Sequence, residues 1–523
     1  MQGQSISKLI IAAVLIIVAV YVVLDVMTSG GNALGKIYGY VMFGSALYGL
    51  ISPKGAFIYL LVLTGYLDML KRIMIFDSRV SLGDLYYVLG IAPATMAGIL
   101  TSVCYALLLG RQKVAKGQVL EGILVITGMA TLMGMSLLAM GRSGRALGDV
   151  VNMVCYLALL VVVPYLYKTP RDLQKLYRLI LLIFIPAAVY MIYQSIVGLA
   201  AWEMDYLKSG LTVEIRQLRE VKFRSFGTFN SASAAAVVFS LLAVLALTGP
   251  WRRRDGEGRV AEGLGSFMSV FCFLLFATAS AVTISRTGWV QGAIAFGAMF
   301  MFSSKLRTNL FYLITVPAAV SVVVFASWIV KSGWFDLVEG LIRKFVKGDV
   351  TLRTVTISTF IDRLMSYQKL VQDGELWTPF GWKLAGKTQS LFVHDAISDL
   401  LMKLGYIPLG TIFLFGIYAM WRMHRTVLSA PDPLSRRIGV TSAAFFVGSL
   451  SGCLATPAQL YMFPANFLMW LFPAVILSMG YHQKLQQAAA AAPAPGEGAV
   501  ARRTVRSRAP RLPSQRMIPD TAR

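Results

Sequence analysis

The chain has three histidines, His394, His424 and His482. The last two stand near basic residues. His394 opens the run His394-Asp-Ala-Ile-Ser-Asp-Leu-Leu-Met-Lys-Leu-Gly405. This run reads as a helix start, because acidic residues suit the positive end of the helix dipole. An imidazole titrates near neutrality and can act there as a general base. A lone histidine is also a common structural residue, and that alternative stands beside the catalytic one.

A second group of candidates consists of arginines. Arg216, Arg219 and Arg224 lie in Glu214-Ile-Arg-Gln-Leu-Arg-Glu-Val-Lys-Phe-Arg-Ser-Phe-Gly-Thr-Phe-Asn230, just before an apolar run. Arg286 lies in Ser285-Arg-Thr-Gly-Trp289, between two apolar runs. A guanidinium grips phosphate through two parallel hydrogen bonds, so arginines arriving from separate segments suit an anionic group. Contact with ordinary lipid phosphates, or pairing with Glu214 and Glu220, is the alternative. Arg363 falls in Asp362-Arg-Leu-Met-Ser-Tyr-Gln-Lys369, which reads as an amphipathic helix on a membrane surface. It can meet a sugar or phosphate, or pair along its own helix. Pro379-Phe-Gly-Trp382 reads as a turn.

Other chemistries lack their signatures. There is no Walker A motif, no HExxH, no GxSxG and no His/Cys metal spacing. No cofactor and no metal are expected. Cys104, Cys155, Cys272 and Cys453 all lie in or beside apolar runs and read as small buried hydrophobes.

The elements that must hold these residues are membrane helices. Of the 523 residues 57% are hydrophobic and 14% charged, and the mean hydropathy is +0.66. A soluble chain of this size carries more charged surface. Apolar runs of about 20 residues predict an all-α polytopic integral membrane protein with about 14 transmembrane helices. They cover about 8–28, 36–52, 55–75, 84–109, 119–141, 147–167, 177–200, 228–249, 264–284, 287–303, 307–330, 394–420, 437–455 and 463–481. The first is long for a signal peptide and reads as a retained span.

Short loops rich in Lys and Arg mark the cytoplasmic side. The segments 111–116, 168–171, 251–254, 304–307 and 422–437 are basic and fall on one side, with both termini. The transmembrane unit then spans 1–482, and 483–523 reads as a disordered basic cytoplasmic tail. The net charge of +24 follows from these loops and this tail, so no nucleic-acid partner is expected. The outer side receives Arg142 to Arg145, Trp202 to Gly227, the turn at Ser285 and one long loop, 331–393. One conflict remains. Lys71-Arg72 sits toward the outer end of an apolar span, where it either snorkels or marks a re-entrant segment.

Several of these motifs together resemble one family, the O-antigen ligase and polymerase superfamily of bacterial envelopes. The matching pieces are Arg224-Ser-Phe-Gly227, Ser285-Arg-Thr-Gly288, Arg363 in the long loop, Pro379-Phe-Gly-Trp382 and the His394 to Gly405 run, over about residues 215–420. The family shows Arg-x-x-Gly, Ser-Arg-Thr/Ser-Gly and His-Asn-x-x-Leu-x-x-Leu-x-x-x-Gly in this order. Asp395 stands where Asn is usual, and Ser398 where an apolar residue is usual.

The resemblance implies a glycosyltransferase at the periplasmic face of the bacterial inner membrane. The donor would be a glycan on undecaprenyl diphosphate, and the acceptor a sugar hydroxyl. Membrane lipids and other polysaccharide-assembly proteins are the further partners. Arg224 and Arg286, with Arg216 and Arg219, would bind the diphosphate. His394 would deprotonate the acceptor, and Arg363 and Asp395 would contact acceptor or donor. Polymerisation of O-antigen or exopolysaccharide units is the leading expectation. An O-antigen ligase or protein O-oligosaccharyltransferase is the alternative, and a lipid-linked oligosaccharide flippase the alternative of another class.

Overall fold

The computed structural model describes residues 33–75, 82–109, 155–208, 224–247, 264–304, 405–430, 433–453 and 463–491, with isolated positions between them. Arg216, Arg219, Arg363, His394 and Asp395 lie outside the described residues, as does the 331–393 loop apart from Pro379. Among the described residues the fold is all-helical, with no strand.

The helices, in chain order, are α1 (Ala33–Ile51), α2 (Pro53–Ile75), α3 (Leu82–Leu108), α4 (Leu159–Leu166), α5 (Pro170–Val197), α6 (Ala201–Lys208), α7 (Ala232–Leu247), α8 (Leu264–Ala281), α9 (Arg286–Phe302), α10 (Tyr406–Leu428), α11 (Pro433–Cys453) and α12 (Ala465–Ala491). Among the described residues two stretches, Asp84–Leu108 and Pro170–Val197, are long and apolar enough to cross a membrane. At 1.5 Å per residue the 28 residues of α5 reach about 42 Å. The 16 residues of α7 reach only about 24 Å, short of a hydrocarbon core of about 30 Å.

Local sequence explains the best-defined start. At α5 the Thr169 hydroxyl accepts the Asp172 amide at 3.2 Å, and Pro170 stands in the first turn, where no amide is needed. α12 runs on to Ala491, beyond the expected tail boundary at Gln483. Its Gln-Lys-Leu-Gln-Gln-Ala sequence consists of good helix formers. The rest of the tail lies outside the described residues.

α7 is the centre of the bundle. It is apolar on every side, and Ala234 to Ala246 are all buried. A helix with no polar face must be enclosed by others, and α5, α8, α9 and α11 pack around it. Small residues bring α7 and α9 together: Gly288 faces Ala236, and Gly292 faces Ser240. The numbers rise together on both helices, so α7 and α9 run parallel. On α11, Gly448 faces Ala295 and Gly452 faces Gln291, so α11 runs antiparallel to α9.

These directions sort the bundle into two ends. One end gathers the start of α5, the start of α11 and the ends of α9, α10 and α12. Here Arg436 donates to the Ser303 carbonyl at 2.7 Å, and Gln483 donates to the Thr426 carbonyl at 3.2 Å. The Tyr177 hydroxyl meets Ile438 and Ser442. The opposite end gathers the ends of α2, α5 and α8 and the starts of α7 and α9.

Candidate functional site

The site is built on the segment 224–230, which enters α7. Gly227 has φ of +55°, a left-handed conformation that glycine adopts without steric cost. Its Cα faces Met191 of α5, where an added Cβ would come within 3.2 Å. Arg224 is half-buried at the head of this turn, and Ser225 to Phe229 are buried.

A buried turn must satisfy its backbone polar groups, and here side chains from distant helices do so. The Gln194 amide oxygen, on α5, accepts the amides of Phe226 and Gly227, both at 2.8 Å. Arg72 of α2 donates Nη2 to the Gly227 carbonyl at 2.5 Å. The Asn230 amide donates to Asp68 Oδ2 at 3.1 Å. Within the turn, the Phe229 amide closes on the Phe226 carbonyl at 3.0 Å.

Arg72 is wholly buried. Its Nη1 lies 3.4 Å from Glu203 Oε1 on α6, and Nε donates to the Asp68 carbonyl at 3.3 Å. The guanidinium carbon lies 4.6 Å from the Phe226 ring centroid and 5.5 Å from that of Trp202. Glu203 is equally buried. Its Oε1 also accepts from the Tyr190 hydroxyl at 3.0 Å and from Gln194 Nε2 at 2.7 Å, and its Oε2 accepts the Ala200 amide at 2.9 Å. Such a pair is tolerated away from water only when its remaining donors and acceptors are met, and here each guanidinium nitrogen and both carboxylate oxygens have a partner.

Beside it, Lys71 Nζ donates to Asn230 Oδ1 at 3.1 Å and lies 3.5 Å from Asp68 Oδ1. The Tyr206 hydroxyl donates to the same Asn230 oxygen at 2.7 Å. Burial pushes the Tyr206 phenol above its ordinary pKa. The Lys71-Arg72 pair, in conflict with the loop-charge pattern of the sequence, is therefore turned inward onto the turn rather than outward to solvent.

Arg286 is the first residue of α9, with Ser285 at the N-cap, and only its backbone is described. Because α7 and α9 run parallel, Arg224 and Arg286 reach the same end of the bundle. The Ser280 hydroxyl ties α8 to the Ala236 carbonyl there at 3.1 Å, and Ile284 before the cap has φ of +53°. Gly405 precedes α10, and the Ile407 amide donates to the Pro379 carbonyl at 3.2 Å. The structure thus joins Pro379 to the first turn of α10, two residues beyond the Gly405 that closes the His394 run. α10 ends beside Gln483 at the basic end, so its start points toward the end that holds Arg224.

Arg72, Glu203 and Gln194 are the members of this cluster that reasoning from the sequence missed as functional. The signal for Arg72 was its charge in an apolar span. Glu203 and Gln194 gave none. Among the described residues no group of three or more His, Cys, Asp or Glu side chains could hold a metal ion. No protein-family model matches the chain, and no curated protein matches it.

Proposed function

We propose that the protein is a multi-pass enzyme of the bacterial inner membrane that transfers a glycan from undecaprenyl diphosphate to an acceptor sugar at the periplasmic face. The observation that carries this reading is the parallel packing of α7 and α9, which brings Arg224 and the start of the Arg286 helix to one end. A guanidinium from the turn before α7 and one from the start of α9 suit a diphosphate, and the N-terminus of α9 adds favourable helix-dipole charge there. Among the described residues, Arg171 at the start of α5, Arg425 near the end of α10 and Arg436 at the start of α11 lie at the other end, which the positive-inside rule assigns to the cytoplasm.

In this reading the acceptor hydroxyl oxygen attacks the anomeric carbon of the donor. The bond from that carbon to the diphosphate oxygen breaks, and undecaprenyl diphosphate leaves with the bonding electrons. His394 takes the hydroxyl proton, and Arg224 and Arg286 stabilise the charge on the departing diphosphate. Arg216, Arg219, Arg363 and Asp395 are the remaining candidates for donor or acceptor contact. Chain extension, with a second lipid-linked repeat unit as acceptor, is the leading form of the reaction.

Glycan analysis of a deletion strain tests the reading. Single repeat units capped on their normal acceptor support a polymerase. Lipid-linked polymer that is never transferred supports a ligase of the same reaction class. Repeat units held at the cytoplasmic face would replace the enzyme with a flippase.

A further inference from the structure

The turn that carries Arg224 is fixed by residues remote in sequence. Its shape rests on a chain of contacts. Gln194 accepts both turn amides through its side-chain oxygen and donates to Glu203 through Nε2. Glu203 faces Arg72, and Arg72 returns to the turn at the Gly227 carbonyl. The circuit joins α2, α5, α6 and the turn. Every member is buried, with Gln194 at 2% and both Arg72 and Glu203 at 0% relative exposure.

Nothing in this circuit is free to meet a large ligand. Arg72 is enclosed by two aromatic rings, and the Glu203 carboxylate already accepts four contacts. Its geometric effect falls on Arg224, two residues before Phe226. From this we infer that Arg72, Glu203 and Gln194 form a positioning unit that holds Arg224 toward the start of α9, so that Arg224 and Arg286 engage one anionic group together. The inference rests on the glycan-transfer reading for the identity of that group, a polyprenyl diphosphate. It rests on the contacts alone for the positioning.

The cost of losing the unit is a displaced Arg224, and small displacements of a binding group lower rates steeply. Arg72 and Glu203 are a poor single test, because either alone leaves a buried unpaired charge. Gln194→Leu removes the clamp without altering charge. The pair Arg72→Gln with Glu203→Gln removes both charges together.

Two measurements on the full chain in native membranes decide the matter. The first labels Ser225→Cys with a maleimide after replacement of the four native cysteines. Ser225 is buried, so labelling is slow in the parent, and the expected result is faster labelling with Gln194→Leu and with the double Gln variant. Unchanged labelling in both overturns the positioning unit, whatever reaction the protein performs. The second is a double-mutant cycle on glycan polymerisation. Gln194→Leu should lower the rate roughly 10- to 100-fold, and adding it to Arg224→Ala should lower it no further. Independent, multiplying losses would overturn action through Arg224. A parent without transfer activity would defeat the glycan reading, while the labelling result would still decide the positioning.

Discussion

Gly288 of α9 lies against Ala236 of α7 so closely that a Cβ on Gly288 would come within 2.7 Å of the Ala236 carbonyl oxygen. Side chains cannot yield there, because the obstacle is backbone. The two helices can approach only because position 288 has no side chain, as in other close helix pairs built on small residues. This contact seats the start of α9, where Arg286 stands, beside the start of α7.

Gly288→Ala should therefore push α9 away from α7. Overpacking of this kind costs about 1–3 kcal/mol. The expected outcome is a lower midpoint for thermal unfolding in detergent, together with reduced glycan transfer at normal membrane levels. Gly297 faces open space, so Gly297→Ala should keep both properties. Equal behaviour of the two variants would sink the account of this contact.

Arg286→Ala and His394→Ala should each abolish polymer formation while protein level and membrane insertion stay normal. Arg224→Ala should slow transfer by roughly 100- to 1,000-fold, the size typical of losing one oriented donor to a developing anion. Immunoblotting of membranes and gel analysis of the surface glycan check this together. Full activity in the Arg286 and His394 variants would remove them from the site.

Glu203→Leu leaves Arg72 buried without its carboxylate. Breaking one side of such a pair costs about 3–5 kcal/mol. The expected result is strong destabilisation, read as loss of folded protein in a detergent thermal-shift assay. The double Gln variant should lose much less, because it leaves no charge unpaired. If both lose the same amount, the ion pair contributes nothing specific.

Tyr206 gives a pH dependence with a definite sign. Burial raises its folded pKa above the ordinary value near 10. The protonated phenol is thus favoured by folding, and its contribution is fully present below pH of about 10. It is lost as pH rises through the raised folded value. Stability of the parent should fall on that alkaline side, and Tyr206→Phe should flatten the fall. An identical alkaline profile in the variant would remove Tyr206 as its source.

The sequence and the structure agree best where apolar runs are uninterrupted. Asp84–Leu108 falls within the expected 84–109, whereas α5 starts at Pro170, before the expected 177–200, and ends at Val197. The turn at 224–230 and the start of α9 were legible as motifs, since Arg, Gly and a following apolar run sit close together. Their meeting at one end was less legible, because it depends on Gly288 and Gly292 finding Ala236 and Ser240. The Arg72 circuit was hidden for a different reason. Arg72 and Glu203 are 131 positions apart, and Arg72 and Gly227 are 155 apart. No local period reports such pairings. The short helix α6 was likewise read only as part of an outer segment, since eight residues carry too little pattern.

The backbone of the 226–230 turn has a consequence for ligand design. The amides of Phe226, Gly227, Phe229 and Asn230 already have acceptors, and the carbonyls of Phe226 and Gly227 already have donors. An inhibitor directed at this turn would find none of these groups vacant. Recognition of this turn would fall to the side chains around it, of which Arg224 is half-buried and Ser225 to Phe229 are buried.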